Sequence, residues 1–353
     1  MRALCIVADD LTGALDAAAP FAGPQRPVLI PLRPQNLPPA AAVSLTTESR
    51  DCDAATAVCR VQATLSALGR QPARLWFKKI DSLLRGHPFA ETAAMMRWGG
   101  FEDCLFTPAF PQMGRIVRGG RLLRAAPAAA GGGQGPADIV AGLVAAGCAA
   151  GPEACEPAGR HRVRVADAAT AADLAALAAG HAGYPSKLWA GSGGLARALA
   201  GASPLQGCPP VCLVVTGTSH PATRQQVAAL AGVAWPAPED GELCASVARP
   251  LLVDPVPDSA TADETRGRLR AAMARLRLQD DGALLVIGGD TLSTVLGWSG
   301  AAALVCTGEV GPGVPVARIR GGFFHGRRLV SRSGGFGGPD HIRALLAAGG
   351  VAG

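Results

Sequence analysis

Lysine is nearly absent from this chain: Lys78, Lys79 and Lys187 stand against thirty arginines. Aromatic residues are scarce too, at 4% of the chain with a single tyrosine. A surface that stacks nucleobases needs such rings beside its cations. The net charge of +6 therefore points to small anionic molecules, not to nucleic acid. No run of about 18 apolar residues exists, so no membrane-spanning helix is expected. The ten cysteines form no C-x-x-C pair and no Cys/His cluster with zinc-site spacing. Free thiols in a reducing compartment follow from that absence. Asp9-Asp10 interrupts the first apolar run before a signal peptide could form, and the expected location is the cytoplasm. Neither G-x-x-x-x-G-K-[ST] nor H-R-D occurs, which excludes a P-loop enzyme and a protein kinase.

What is present reads as α/β. At 353 residues the length suits about two domains, and short β-rich apolar runs alternate with Ala/Leu-rich helical stretches. The expected fold is two Rossmann-like domains with mostly parallel sheets. A Gly/Pro/Ser cluster at 201–210 sets their boundary, giving 1–205 and 206–353. Helices are expected at Leu15–Phe21, Ala54–Leu68, Thr265–Leu278 and His341–Ala348, among others. The low-complexity stretch from Ala125 to Pro136 reads as a surface loop. Arg115, Arg118, Arg121 and Arg124 are evenly spaced, but Gly119-Gly120 rules out a continuous basic helix between them.

Lys78 and Lys79 open the densest chemical stretch, Lys78-Lys79-Ile80-Asp81-Ser82-Leu83-Leu84-Arg85-Gly86. A chain that writes arginine almost everywhere has kept two compact ammonium groups here. An acid, a hydroxyl and a guanidinium follow at once, the groups needed to hold an anion and move a proton. Alternation along a strand puts Lys79 and Asp81 on one face, so Lys79 is the better of the two lysines for chemistry. The first strand ends in Asp9-Asp10-Leu11-Thr12-Gly13, where open α/β sheets bind ligands. Helix capping by Asp10 or Thr12 is the competing reading. Arg50 follows another strand and suits a carboxylate. Gly114 and Arg115 arrive at the same edge after a Pro-rich loop.

Gly191-Ser192-Gly193-Gly194-Leu195-Ala196 fits the dinucleotide fingerprint, but the next strand, Val211–Thr216, carries no acid at its end. An NAD-dependent dehydrogenase is thereby disfavoured, which leaves that turn for close packing or approach to another ligand. In the second half, Thr216–His220, Gly288-Gly289-Asp290-Thr291 and Arg332–Gly337 each follow an apolar run. Three glycine turns of this kind make a natural phosphate cradle.

These motifs, with Thr47-Glu48-Ser49-Arg50, Pro108-Ala109-Phe110-Pro111 and Pro312-Gly313-Val314-Pro315, resemble the four-carbon acid sugar kinases (DUF1537) in order and over nearly the whole length. The resemblance implies an N-terminal acid-sugar-binding domain, a C-terminal ATP-binding domain and phosphorylation of a terminal hydroxyl, with ATP and Mg2+ as cofactors. It casts Asp9, Asp10, Lys79 and Asp81 as catalytic, one of the acids serving as base or Mg2+ ligand. Thr12, Gly13, Arg50, Lys78, Ser82, Arg85, Gly86, Gly114 and Arg115 would hold the sugar acid. Thr218, His220, Gly288, Gly289, Asp290, Thr291, Gly334, Gly335, Phe336 and Gly337 would hold the nucleotide. No metal ligand set is assigned. Expected partners are the two small molecules, with a homodimer as the assembly to test.

Four departures from the family pattern stand out. Leu83 replaces a threonine, Thr218-Ser219-His220 replaces a Ser-Cys-Ser-like turn, Arg332 replaces a lysine, and the segment at 120–137 is short. A non-catalytic ligand-binding or regulatory relative is the alternative that these departures leave open.

Overall fold

The computed structural model describes all residues except 1, 34–39, 70–71, 125–136, 153–159, 181–186, 202–203, 232, 237–239, 256–260 and 351–353. The loop expected at 125–136 lies outside the described residues. The chain divides into two compact units: Met1–Phe21 with Val28–Ser203, and Ala22–Pro27 with Pro204–Gly353. No helix among the described residues is long and apolar enough to cross a membrane.

The first unit runs β1 (Arg2–Ala8), α1 (Leu11–Ala18), β2 (Val28–Pro31), β3 (Ala42–Thr46), α2 (Ala54–Leu68), β4 (Ala73–Lys79), α3 (Pro88–Gly99) and β5 (Asp103–Thr107). A small antiparallel sheet follows, made of β6 (Arg115–Arg118), β7 (Arg121–Arg124) and β8 (Ala137–Asp138). The unit closes with α4 (Ile139–Ala145), β9 (Ala149–Pro152), β10 (Arg162–Val165), α5 (Ala171–Gly180), β11 (Leu188–Gly191) and α6 (Gly193–Ala200).

Its main sheet has the order β2-β3-β1-β4-β11-β5-β10-β9, every pair parallel. Covered on both faces, these strands are almost continuously apolar; Cys5, Ile6, Val7 and Ala8 have no exposed surface. The register sets Ala8 beside Thr46 and Lys79, and Gly191 beside Lys79 and Thr107. Five strands thus end along one edge. From β1 the chain goes to β2 and β3 on one side, then to β4 on the other. That reversal opens a crevice at the carboxyl ends of β1 and β4, where ligands bind in such sheets.

Helix α1 starts four residues earlier than the apolar spacing predicts, because Asp10 caps it and accepts from the Gly13 N–H. The evenly spaced arginines form a β-hairpin, with Gly119 and Gly120 at φ +58° and +69° making its turn.

The second unit runs β12 (Val211–Thr216), α7 (Pro221–Ala228), β13 (Trp235–Pro236), β14 (Leu243–Ala245), β15 (Leu251–Val253), α8 (Ala262–Ala274), β16 (Leu276–Leu278) and β17 (Ala283–Ile287). It ends with α9 (Gly289–Ser299), β18 (Ala303–Gly311), β19 (Val314–Arg320), β20 (Arg328–Arg332) and α10 (His341–Ala348). The sheet order is β13-β15-β12-β17-β20-β19-β18. It is parallel as far as β20 and antiparallel through the β18–β19 hairpin. The helix expected to reach Leu278 stops at Ala274, since Leu276–Leu278 pairs with β14 as a separate two-stranded sheet. Val214, Leu285, Ile287, Val330, Ile342 and Leu346 form the core between sheet and helices. Mostly parallel α/β architecture holds in both units. The strand cysteines Cys5, Cys104, Cys212 and Cys306 are buried free thiols; burial pushes Cys212 up to about 11 and Cys306 to about 12.

Candidate functional site

At the crevice of the first unit one guanidinium gathers three carboxylates. Arg50 donates from Nε and Nη2 to Asp9 Oδ2 and Oδ1 at 2.8 and 2.9 Å, and from Nη1 to Asp10 Oδ2 at 2.6 Å. Its Nη2 also stands 3.9 Å from Asp81 Oδ1. Asp10 both caps α1 and binds Arg50, so the two readings of this acid are compatible. Its Oδ2 also accepts from Thr12 Oγ1 at 2.7 Å. Gly13 is required there, for a Cβ would lie 2.5 Å from Asp10 Oδ1.

Asp81 accepts from Arg85 Nε and Nη2 at 2.9 and 2.7 Å, and from the backbone N–H groups of Leu83 and Arg85. Ser82 follows in the same turn, half-buried. Gly86, at φ +75°, packs where a Cβ would sit 3.3 Å from the Arg50 backbone. Burial raises the Asp9 carboxyl, but the charges of Arg50, Lys78 and Lys79 outweigh it and leave Asp9 below the usual range. Burial likewise opposes ionisation of Asp81, and the bonds and charge of Arg85, with Arg50 and Lys79, hold it well below that range. Arg50 is destabilised by burial, yet Asp10 and Asp9 raise it further still. Both acids are anchored anions.

The two lysines face opposite ways, as strand alternation demands. Lys78 is fully buried, its Nζ 2.6 Å from Glu91 Oε2 on α3. Lys79 donates to the Ile80 carbonyl at 3.0 Å and stands 3.9 Å from Asp16 Oδ2 on α1. Arg115 opens the basic hairpin, next to Gly114 at φ +69° and in register with Arg124. Burial lowers its guanidinium, Asp81 raises it, and Arg124 and Arg85 lower it again. Among the described residues the Arg115 side chain has no carboxylate partner. Arg50 and Arg85 are paired in place, whereas Arg115 feels Asp81 only at longer range.

The Gly191 turn is built for packing. Ser192 caps α6 and donates to the Ala109 carbonyl at 2.5 Å. A Cβ at Gly193 would lie 2.3 Å from Asp16 Oδ2, and one at Gly194 would lie 2.8 Å from the Ala109 oxygen.

In the second unit the three glycine turns converge. A Cβ at Gly334 would meet Thr218 at 3.0 Å, one at Gly335 would meet His220 Nε2 at 3.2 Å, and one at Gly288 would meet Thr218 Cβ at 3.5 Å. Gly288 stands at φ +98°, and Gly289 and Asp290 begin α9. His220 caps α7 through its imidazole, which accepts from the Ala222 N–H. Asp290 is exposed and paired with Arg266 at 2.9 Å. The last turn is held from below. Thr223 Oγ1 donates to the Gly334 carbonyl at 2.6 Å, and Gln226 Nε2 donates to the carbonyls of Phe336 and Gly337 at 2.9 and 3.0 Å. Arg332, 1% exposed, donates to the Phe336 carbonyl and to Gln226 Oε1. Burial alone lowers it to about 10. No group of three or more His, Cys, Asp or Glu among the described residues is placed to hold a metal ion.

Asp16, Glu91 and Gln226 carry no local sequence signal, and Ser49 enters only as a member of the Thr47–Arg50 motif. Glu91 and Gln226 lie inside helices, far along the chain from what they touch, and only their buried positions on an apolar helix face signal them.

The sugar-binding N-terminal domain family matches residues 4–138, and the nucleotide-binding C-terminal domain family matches residues 256–342. A D-threonate kinase of Bordetella bronchiseptica is 32% identical, across 97% of this chain and 96% of its own. Another from Cupriavidus necator is 33% identical, across 94% of each. A Haemophilus influenzae DUF1537 structure shares the fold, with a TM-score of 0.68 at 17% identity over 98% of this chain and 100% of its own. The chain belongs to the four-carbon acid sugar kinase family, phosphotransferases whose acceptor is an alcohol group.

Proposed function

We propose that this chain transfers the γ-phosphoryl group of ATP to the terminal hydroxyl of D-threonate, with the acid bound by the first unit and the nucleotide by the second. The observation that carries this reading is the Asp9–Arg50–Asp81–Arg85 array at the β1/β4 crevice, flanked by Lys79 and Arg115. Fixed acids and bases in a buried site cost no reorganisation during reaction. Arg115 takes the substrate carboxylate, whose bidentate geometry it matches. Lys79, a compact ammonium, faces the charge that grows on the transferred phosphoryl group.

The acceptor oxygen forms a bond to the γ-phosphorus as the bond to the β-phosphate bridge breaks, and ADP leaves. The hydroxyl proton passes to Asp81 or Asp9. Carboxylates held below their usual range are weak bases, which suits a loose transition state in which the proton leaves late. Their main task is to orient the hydroxyl. Mg2+ would offset the charge of the ATP phosphates, and Asp9, Asp10 or Asp81 are the carboxylates of this site that would hold it.

In the second unit the backbone amides of the Gly288 and Gly334–Gly337 turns face the phosphates. Two curated relatives over nearly the full chain are D-threonate kinases, while the D-erythronate kinase aligns with only 35% of it. D-threonate is the substrate that these relatives favour. ADP release on D-threonate, D-erythronate and their 3-oxo derivatives tests the assignment. Turnover on D-threonate supports it; ATP binding without turnover on any of them overturns it in favour of a non-catalytic relative.

A further inference from the structure

We infer that Glu91 is a positioning residue for the sugar-acid site, acting through Ser49 on the turn that aims Arg50; this rests on the site reading above. Glu91 is on α3, fully buried, and touches none of the proposed ligand-binding groups except Lys78. Its two oxygens do different things. Oε2 meets Lys78 Nζ at 2.6 Å, and Oε1 accepts from Ser49 Oγ at 2.5 Å. Ser49 in turn lies 2.6 Å from Thr47 Oγ1, which donates to the Ala8 carbonyl at 3.0 Å. Lys78 Nζ donates to the Lys79 carbonyl at 3.1 Å. A buried polar chain thereby joins the ends of β1 and β4 to α3, and it passes through the two residues that flank Glu48.

The turn needs such an anchor. Glu48 holds φ +47°, a conformation a non-glycine residue adopts at a cost. Two backbone bonds, from Thr47 N to the Ala8 oxygen and from Ser49 N to the Asp9 oxygen, fix the turn to β1 at 2.9 Å each. The Ser49 hydroxyl is its only side-chain tie to α3 among the described residues. Arg50 comes next, and its reach to both Asp9 and Asp10 depends on where that turn lies. A buried ion pair is weak evidence of a stability role, since apolar replacements of both partners are often neutral. Here the acid's second oxygen gives it a separate task.

The test separates the two tasks. Lys78→Met/Glu91→Leu removes both charges and the acceptor, whereas Lys78→Met/Glu91→Gln removes the charges and keeps an oxygen for Ser49. Calorimetry with D-threonate alone, and KM for D-threonate and for ATP, are read on folded protein. The Leu double variant is expected to weaken D-threonate binding and raise its KM roughly 10-fold or more, with KM for ATP within about twofold, on the scale of one lost charge-assisted hydrogen bond. The Gln double variant is expected to bind D-threonate roughly 10-fold more tightly than the Leu double variant, since both carry Lys78→Met and they differ only in the oxygen offered to Ser49. Ser49→Ala, which leaves the ion pair in place, is expected to reproduce the Leu effect, and it decides the matter if a double variant fails to fold. Wild-type D-threonate binding in Ser49→Ala or in the folded Leu variant overturns the inference, as does an equal loss in both double variants. Arg50→Lys run alongside keeps the two readings apart: unchanged D-threonate binding there means that the site itself is misplaced.

Discussion

Arg50 and Asp9 meet through two parallel N–H···O bonds of 2.8 and 2.9 Å, while the remaining guanidinium nitrogen reaches Asp10 at 2.6 Å. Lysine cannot make that three-point contact, because its single nitrogen cannot present a planar fork. Arg50→Lys is therefore expected to lower kcat/KM for the sugar acid by about 10- to 100-fold, the scale of one or two charge-assisted hydrogen bonds. Steady-state kinetics with each substrate varied in turn checks this, and an unchanged kcat/KM removes Arg50 from the site.

Asp81→Asn keeps an oxygen for the backbone N–H groups of Leu83 and Arg85 but loses the negative charge. The fold is expected to persist by circular dichroism, with kcat falling about 100-fold or more, in the range that general acid–base groups contribute. A kcat equal to wild type takes Asp81 out of the mechanism.

Asp9 and Asp81 both titrate below their ordinary value of 3.8 in the folded chain. Groups depressed in this way stabilise the fold above their unfolded value, and that contribution disappears as pH falls towards the folded one. The stability difference between wild type and Asp81→Asn, measured by urea unfolding, is expected to be largest above about pH 4. It should shrink as the pH drops below that value. A difference independent of pH between 5 and 3 contradicts the electrostatic account of Asp81.

Gly288 stands at φ +98°, where L side chains are strained, and a Cβ at Gly334 would press on Thr218 at 3.0 Å. Gly288→Ala and Gly334→Ala are each expected to raise KM for ATP by about 10-fold or more, as the amide turns lose their aim at the phosphates. D-threonate binding by calorimetry should not change. Weakened D-threonate binding with normal KM for ATP would reverse the assignment of the two units.

Much of this organisation is legible in the sequence because it is local. Asp9-Asp10 after an apolar run, the Lys78–Gly86 stretch and the glycine turns each declare a strand end by their neighbours alone. The Arg115–Arg124 spacing also carries its own break, Gly119-Gly120, which becomes a hairpin turn. The partners of these groups are less visible. Glu91 reaches Ser49 across 42 residues and Gln226 reaches Phe336 across 110, contacts that sheet order creates and periodicity does not encode. The start of α1 depends on a cap, and the end of α8 depends on strand pairing with β14. Strand alternation separates Lys79 from Lys78 in the sequence, but not their partners: Lys78 meets Glu91 and Lys79 stands beside Asp16.

Phosphoryl transfer to the terminal hydroxyl of D-threonate is read most plainly from phosphorus-31 NMR of a mixture of enzyme, ATP, Mg2+ and D-threonate. The expected result is a new phosphomonoester resonance, coupled to the protons of the terminal carbon and growing in step with ADP. ADP that accumulates only with inorganic phosphate, or a phosphate ester on an internal carbon, would contradict it.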